Sequence, residues 1–450
     1  MNITLTLKKG LDLHIAGAPE GDPEKAEASS PRSVALTPDD FPGLALKPIV
    51  REGETVAQGQ PVLQDKHNPL INITAPASGI VKEIARGERR KLERVVIETS
   101  LADKDCILYK TCDIDTPDKT RALLQSSGLW AMMRQRPYNI VPPSDSIARD
   151  IFISTWDSAP LAPDTDSMLA TCRDDMKAGV EMLAGLTRGT VYIARKANSR
   201  IPDIPGATMI NVSGPHPAGL AGIIAANIKP VNKGETIWTL DGLTLARIGR
   251  LATTGRLDTS CTIAITGSEV SNPGYIKTLI GADIETLIKD RLKKSDHHER
   301  IISGNVLTGV AVKRDLYLRY PYTQISVIPE GDDIDEFMGW ASLSPKKMST
   351  SRSFPGHFLF KKLFRPDARL LGGRRAMIMS GQYDKVVPMD IMTEYLIKAI
   401  LSRDIEKMES LGIYEVAPED FAVAEYVCTS KMPLQSIVAH GLEYLRKELE

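Results

Sequence analysis

Three short apolar runs constrain this chain more than any other feature. Ile151–Thr155 and Val191–Ala194 are continuous runs of strand length rather than alternating ones, and Met209–Val212, with Asn211 inside it, is a third strand candidate. A strand apolar on both sides must be covered on both faces, as in a parallel sheet flanked by helices. A helical pattern over Met176–Leu186 separates the first two runs. The third leads through Ser213–Gly222 into the apolar stretch Gly219–Ile228. This order predicts an α/β sheet domain over residues 101–255. A helix is expected ahead of it, from Lys119 to Met133, with Ala122, Leu123, Leu129 and Met133 as its apolar positions.

The preceding stretch, Gly43–Glu98, has a different texture. Short β-rich runs such as Pro61–Leu63 and Gly79–Ile84 are separated by Gly and Pro at high density, which predicts a small all-β unit within residues 1–100. Its spacing resembles a biotinyl/lipoyl carrier domain, in which a Lys at a hairpin tip carries the cofactor. Lys66 falls near that place, but Asn68-Pro69 follows it and the stretch to Ala75-Pro76 is long. A structural sandwich with an unmodified Lys66 is therefore expected. Arg86, Arg89, Arg90, Lys91 and Arg94 form a basic cluster just after it, either a solvated hairpin or a surface for an acidic partner.

Residues 256–330 read as a smaller α+β unit. It has strands at Cys261–Thr266 and Gln324–Ile328, a turn at Ser271–Gly274, and a helix capped by Asp283 that runs to Leu292. Residues 331–450 read as mostly helical. Met392, Tyr395, Leu396, Ala399 and Ile400 make one helix face; Leu434, Ile437, Val438, Leu442 and Leu445 make the last. Within this section Phe354, Phe358, Phe360 and Phe364 are half of the chain's eight Phe, interleaved with Arg352, Lys361, Lys362 and Arg365. They read either as core strand or helix with a solvated face, or as a docking patch for a membrane subunit or lipid headgroups.

Composition excludes several classes. Lys plus Arg is 56 and Asp plus Glu 57, a net charge of -1, so no nucleic-acid partner is expected and attraction to lipid alone would be weak. No apolar run approaches the roughly 20 residues that span a bilayer. The start of the chain lacks the charge-then-apolar order of a signal peptide, and a cytoplasmic location is expected. Among 33 glycines there is no GxG, no Gly-Lys and no GxSxG, which removes the dinucleotide fingerprint, the P-loop and the nucleophile elbow. The five cysteines are scattered, with no CxxC, against a disulfide framework or a cluster held by this chain. His297 and His298 read as exposed members of the charged run Lys293–Arg300.

Longer motifs point to a family. "KKGLDLHIAG", "APASGIVKEIARGERRKLERVVIE", "SGLWAMMRQRPYNIVPPSDS", "GPHPAGLAG", "RIISGNVLTG", "STSRSFPGH" and "GQYDKVVPMDI" stand in order from residue 8 to residue 391. Together they resemble the A subunit of the bacterial Na+-translocating NADH:quinone reductases. His14, where Pro is expected, and the insertion-like stretch Glu20–Arg32, expected to be a flexible loop, are departures. The resemblance implies a peripheral protein on the cytoplasmic face of the inner membrane. It would belong to a complex that carries electrons from NADH through FAD, FMN, riboflavin and Fe-S centres to ubiquinone or menaquinone, and exports Na+. It also implies a fold like the NADH/FMN-binding subunit of respiratory complex I: a biotinyl/lipoyl-like β-sandwich, a Rossmann-like domain, a β-grasp (SLBB-like) domain and a helical domain.

The same comparison implies lost cofactors. The flavoprotein relatives follow Ser-Gly-Leu with glycines, where backbone must approach a phosphate closely. Here Ser127-Gly128-Leu129 is followed by Trp130, Ala131, Met132 and Met133. Of the relatives' clustered cysteines only Cys428 remains. The expectation is a pump component with no flavin or Fe-S centre of its own; the competing class is a free-standing flavin or carrier-type redox protein. The family's link to quinone draws attention to Leu36–Leu44 and Met133–Val141. Leu36, Phe41, Leu44 and Met133 would supply apolar walls, and Arg136 and Tyr138 the hydrogen-bond donors. The alternative is loop packing at a domain border. No residue stands out as a catalytic acid, base or nucleophile.

Overall fold

In the computed structural model, which describes residues 2–100, 105–111, 116–333, 343–350, 353–359 and 362–449, the apolar runs form the middle of a six-stranded sheet. Its order is Asn2–Thr6, Thr208–Ser213, Val191–Lys196, Asp150–Ser154, Ile237–Asp241, Arg134–Arg136. Neighbours are parallel except the last pair. Successive side chains leave opposite faces and enter different cores. Ile151, Ile153, Ile193, Met209 and Leu240 enter one. Phe152, Ala194, Ile210 and Val212 enter the other.

Helices Arg173–Ala184 and Gly242–Thr254 contribute Met176, Val180, Leu245 and Ile248 to the first core. They touch where both carry glycine. A Cβ added to Gly249 would stand 1.7 Å from the Asp175 carbonyl oxygen, and one on Gly179 would stand 2.5 Å from that of Leu245. Any side chain at this crossing would force the helices apart. The second core holds helix Ala221–Ile228 together with the C-terminal helices Thr393–Ser402, Ile405–Ser410, Ala422–Val427 and Leu434–Leu449.

The all-β unit consists of two small sheets. One runs Ser33–Leu36, Leu92–Thr99, Gly79–Arg86, Thr55–Val56; the other runs Leu46–Pro48, Pro61–Asp65, Asn72–Thr74. Its interior, including Val34, Val62, Val81 and Ile97, continues without a break into the first core of the α/β sheet. Trp130 is the link. It is fully buried, donates from Nε1 to the Pro142 carbonyl at 2.7 Å, and meets Trp238 edge-on at 5.1 Å.

Several expectations change. The helix drawn from Lys119 to Met133 is Pro117–Ser127, because Gly128 turns left-handed at φ 84° and Leu129–Met132 forms a separate 3-10 turn. Strand Asn2–Thr6 belongs to the α/β sheet, not to the β unit. The Glu20–Arg32 stretch is tied down rather than loose: Pro23 is buried, and Glu27–Ala28 pairs with Ile276–Lys277 as the edge of a fourth sheet, also six-stranded. That sheet includes Ser260–Thr266, Gln324–Pro329 and Glu299–Ser303 and packs on the helix Ile284–Ile288, which ends well before Leu292. Among the described residues of 343–392 there are only 3-10 turns, and Met392 and Tyr395 are exposed rather than inward.

One buried ion pair clamps the edge of the α/β sheet to the C-terminal section. Arg136 is 1% exposed and Asp420 0%. The guanidinium donates to both Asp420 oxygens, at 2.5 and 3.3 Å, and to the Glu415 carbonyl at 2.6 Å. Gly222 leaves it room, since a Cβ there would lie 1.9 Å from Nη2. Removing one partner of such a pair strands a buried charge. Arg136→Met should lower unfolding free energy by about 3–5 kcal/mol, and Arg136→Met with Asp420→Leu should recover part of that loss. Urea titration checks this; two losses that simply add would show that no pair exists.

Candidate functional site

In open α/β sheets a crevice forms beyond the strand C-termini where the strand order reverses. Here the reversal lies between Asp150–Ser154 and Ile237–Asp241. A cleft of about 470 Å³ opens at that point, closed on its other sides by Tyr320 and Tyr322, from the turn that leads into strand Gln324–Pro329, and by Glu419. Trp156 and Asp157 enter it directly after the first strand. Asp241, after the second, caps helix Gly242–Thr254 by accepting from the Thr244 amide and hydroxyl, both at 2.8 Å.

The electrostatics are unusual for this position. Asp39, Asp40, Asp157, Asp241 and Glu419 line the cleft against only Arg134 and Arg319. Arg134 is already engaged, donating to the carbonyls of Ala131, Met133 and Asp40 at 2.9, 2.9 and 2.7 Å. Burial lowers its pKa. Arg319 donates to Asp40 at 2.6 Å. Burial raises the Asp40 carboxyl, with Arg319 pulling the other way. Burial also raises Asp157, against the 2.8 Å hydrogen bond from the Ala159 amide. The glycine-loop position offers no phosphate cradle either, because Leu129, Trp130 and Ala131 are buried.

His216 is the buried imidazole of the cleft. Burial drives its pKa down to about 4. Ser158 Oγ accepts the Gly219 amide at 2.8 Å and lies 3.0 Å from His216 Nδ1. The direction of the Ser158–His216 hydrogen bond follows the ring tautomer, and the other ring nitrogen, Nε2, is a buried atom with no hydrogen-bond partner.

The residues expected to bind quinone divide. Leu36 and Phe41 line a second cavity of about 40 Å³, and Phe41 stacks on Tyr320 at 5.8 Å. That cavity shares Asp40, Met132 and Tyr320 with the large cleft. Leu44 packs half-buried on the first core. Met133 does not line either cavity: it is fully buried in the first core, and its neighbours Met132 and Arg134 reach the cleft instead. Arg136 is likewise withdrawn, held by Asp420. Tyr138, at φ 79°, packs on the second core. Sequence reasoning does not reach Trp156, Asp157, His216, Arg319 or Tyr320. The available signal is position, since Trp156 follows the first apolar run at once.

The docking Phe also divide. Phe354 and Phe364 are buried, at 8% and 5% exposure, whereas Phe358 is 68% exposed. Phe360 lies outside the described residues. Phe354 and Phe364 therefore pack as core, and the Phe364 backbone exchanges hydrogen bonds with His14 and Ala16. Cys428 is buried against the Tyr383 hydroxyl at 2.9 Å, and Cys106, Cys172 and Cys261 are also free thiols. The ligand atoms of His298, Asp332 and Asp333 lie within 4.8 Å of one another, all on exposed residues.

Three family descriptions match the chain in order: the NqrA N-terminal barrel-sandwich hybrid domain at 5–100, the NqrA second alpha/beta domain at 116–257 and the NQRA C-terminal domain at 262–314. The A subunit of the Na(+)-translocating NADH-quinone reductase of Histophilus somni strain 129Pt is 37% identical, over 99% of this chain and 100% of its own length. The chain belongs to the NqrA family. The corresponding proteins of Pasteurella multocida and Neisseria meningitidis serogroup B are 36% and 35% identical over the same shares. An NAD+-reducing NiFe hydrogenase overlays with TM-score 0.36 and 11% identity, over 74% of this chain and 62% of its own, too slight a likeness to argue from. Among the described residues no helix is long and apolar enough to cross a membrane.

Two outcomes follow. Phe364→Ala should destabilise the chain by about 3–5 kcal/mol, whereas Phe358→Ala should change stability by less than about 0.5 kcal/mol; thermal unfolding of the two variants separates them. His216 should stay neutral down to about pH 4, as read by imidazole 15N shifts. Its depressed pKa means that the unfolded chain binds the proton first. Its contribution is therefore complete above pH 6.5 and declines as pH falls toward 4, by up to about 3 kcal/mol. A ring that titrates near 6.5 in the folded chain would contradict this.

Proposed function

We propose that the chain works as the peripheral NqrA component of a Na+-pumping NADH:quinone oxidoreductase. It would sit on the cytoplasmic face of the membrane and assemble with the pump's other subunits. The observation that carries this is identity to curated proteins of that name from one end of the chain to the other. The negative cleft adds physical support for a further part of the reading, that the chain holds no FMN, NADH or Fe-S centre of its own. A diphosphate or flavin phosphate brought beside Asp40, Asp157, Asp241 and Glu419 would meet like charge without a free arginine to offset it. A free-standing flavoprotein needs that phosphate site.

A neutral, planar quinone headgroup meets no such penalty. We assign it to the large cleft, between Trp156 and Tyr320, with Leu36 and Phe41 backing the wall through the adjoining cavity. Lys66 is assigned no cofactor.

Co-expression with the partner subunits tests the proposal. The tagged chain should co-purify with Na+-stimulated NADH:quinone reductase activity. Alone, it should show no flavin absorbance and the intact mass of the bare polypeptide. In the assembled complex Trp156→Ala should raise the KM for quinone about tenfold and leave NADH oxidation by a soluble acceptor unchanged. Stoichiometric flavin on the isolated chain would overturn the assignment.

A further inference from the structure

The balanced charge of the whole chain conceals a strong local imbalance. Residues 343–379 carry nine Lys and Arg against the single acidic residue Asp367, a net +8; with the chain at -1, the remainder carries -9. The same segment is rich in exposed apolar side chains. Leu343, Phe358, Leu359, Leu363, Leu370, Ile378 and Met379 are all large and exposed. Soluble surfaces rarely combine these two features over so short a length.

The segment has a defined shape around its buried rings. Phe354 and Phe364 anchor a knuckle, and Gly356 sits against both Lys347 and Phe364, where a Cβ would be 2.0 Å from the Lys347 carbonyl oxygen. Lys347 Nζ stands over the Phe354 ring at 5.3 Å, and Lys362 Nζ over Phe364 at 5.7 Å. Lys362 also donates to the Pro345 carbonyl at 3.3 Å. Residues 345–349, 354–359 and 362–364 are thereby one body. Phe358, Leu359 and Leu363 are exposed on it, as is Lys346. Arg365 is committed to Glu269 and Arg369 to Asp367. Lys346, Arg374 and Arg375 remain exposed.

We propose that this knuckle is a docking surface for the anionic headgroups of a lipid bilayer. Basic residues near an acidic leaflet add roughly fivefold each to partitioning. Exposed Phe and Leu beside them enter the headgroup–acyl boundary. An acidic protein would satisfy the charge but would not by itself explain apolar side chains displayed in separate clusters along the segment. The -9 on the rest of the chain is repelled by the same surface, which orients the molecule with the knuckle down. The inference stands independently of the pump assignment.

The test uses the full chain and sedimentation with vesicles of phosphatidylcholine, with and without phosphatidylglycerol. The chain should pellet only with the anionic vesicles and be released by salt. Lys346→Gln, Arg374→Gln and Arg375→Gln together should weaken binding about 100-fold. Phe358→Ser with Leu363→Ser should weaken it at unchanged melting temperature. Arg89→Gln with Arg90→Gln, on the distant hairpin, should leave it unaltered. A chain that stays in the supernatant, or that binds as well without the three charges, overturns the proposal. So does an equal loss from the hairpin pair, which would mark unspecific attraction. Knuckle-dependent capture of the partner subunits in detergent, with no vesicle binding, would assign the surface to an acidic protein and overturn it as well.

Discussion

The fold is organised around a sheet whose central strands have no solvent face. The strands from Asp150 to Asp241 are apolar on both sides, so each face needs its own cover. One face is met by two helices pressed together at Gly179 and Gly249, with the β unit's interior merging behind them through Trp130. The other is met by Ala221–Ile228 and the C-terminal helices. Neither cover is a separate domain in the energetic sense. Losing either would expose a row of Ile, Val and Phe to water, at about 25 cal/mol for each square ångström uncovered.

This dependence explains which features are legible in the sequence. The strands are readable because burial on both faces writes an unbroken apolar run, and the final helix because its buried positions, Leu434, Val438, Leu442 and Leu445, recur at helical spacing. Strand Asn2–Thr6 reads as part of the wrong neighbour because its alternating pattern fits any edge strand, and pairing partners 200 residues away leave no local trace. The pinning of Glu20–Arg32 is hidden for the same reason. Gly128 is a visible stop signal within a helical pattern, and reading through it draws that helix too long.

The site is legible in region and not in register. Residue type points to Leu36–Leu44 and Met133–Val141, and both segments do border the cavities. But a strand sends successive side chains to opposite sides, and nothing local tells Met132 and Arg134 from Met133. Arg136 looks like a donor for a ligand carbonyl; only the fold brings Asp420, 284 residues away, to take that role. The cleft's negative character is also invisible in a chain of near-zero net charge, because its carboxylates come from separate stretches of the sequence.

The first 28 residues bear on how the molecule is made. Asn2–Thr6 pairs with Met209–Ser213, Glu27–Ala28 with Ile276–Lys277, and Ile15 with Phe364. On a ribosome adding about 5–20 residues each second, that leading segment waits roughly ten seconds or longer before its first partner strand exists. Through that interval its strand edges are unpaired, and the partners arrive one after another as the later domains emerge. The segment thus acts as a stitch drawn through three units in turn, and it closes only after each later partner has been made.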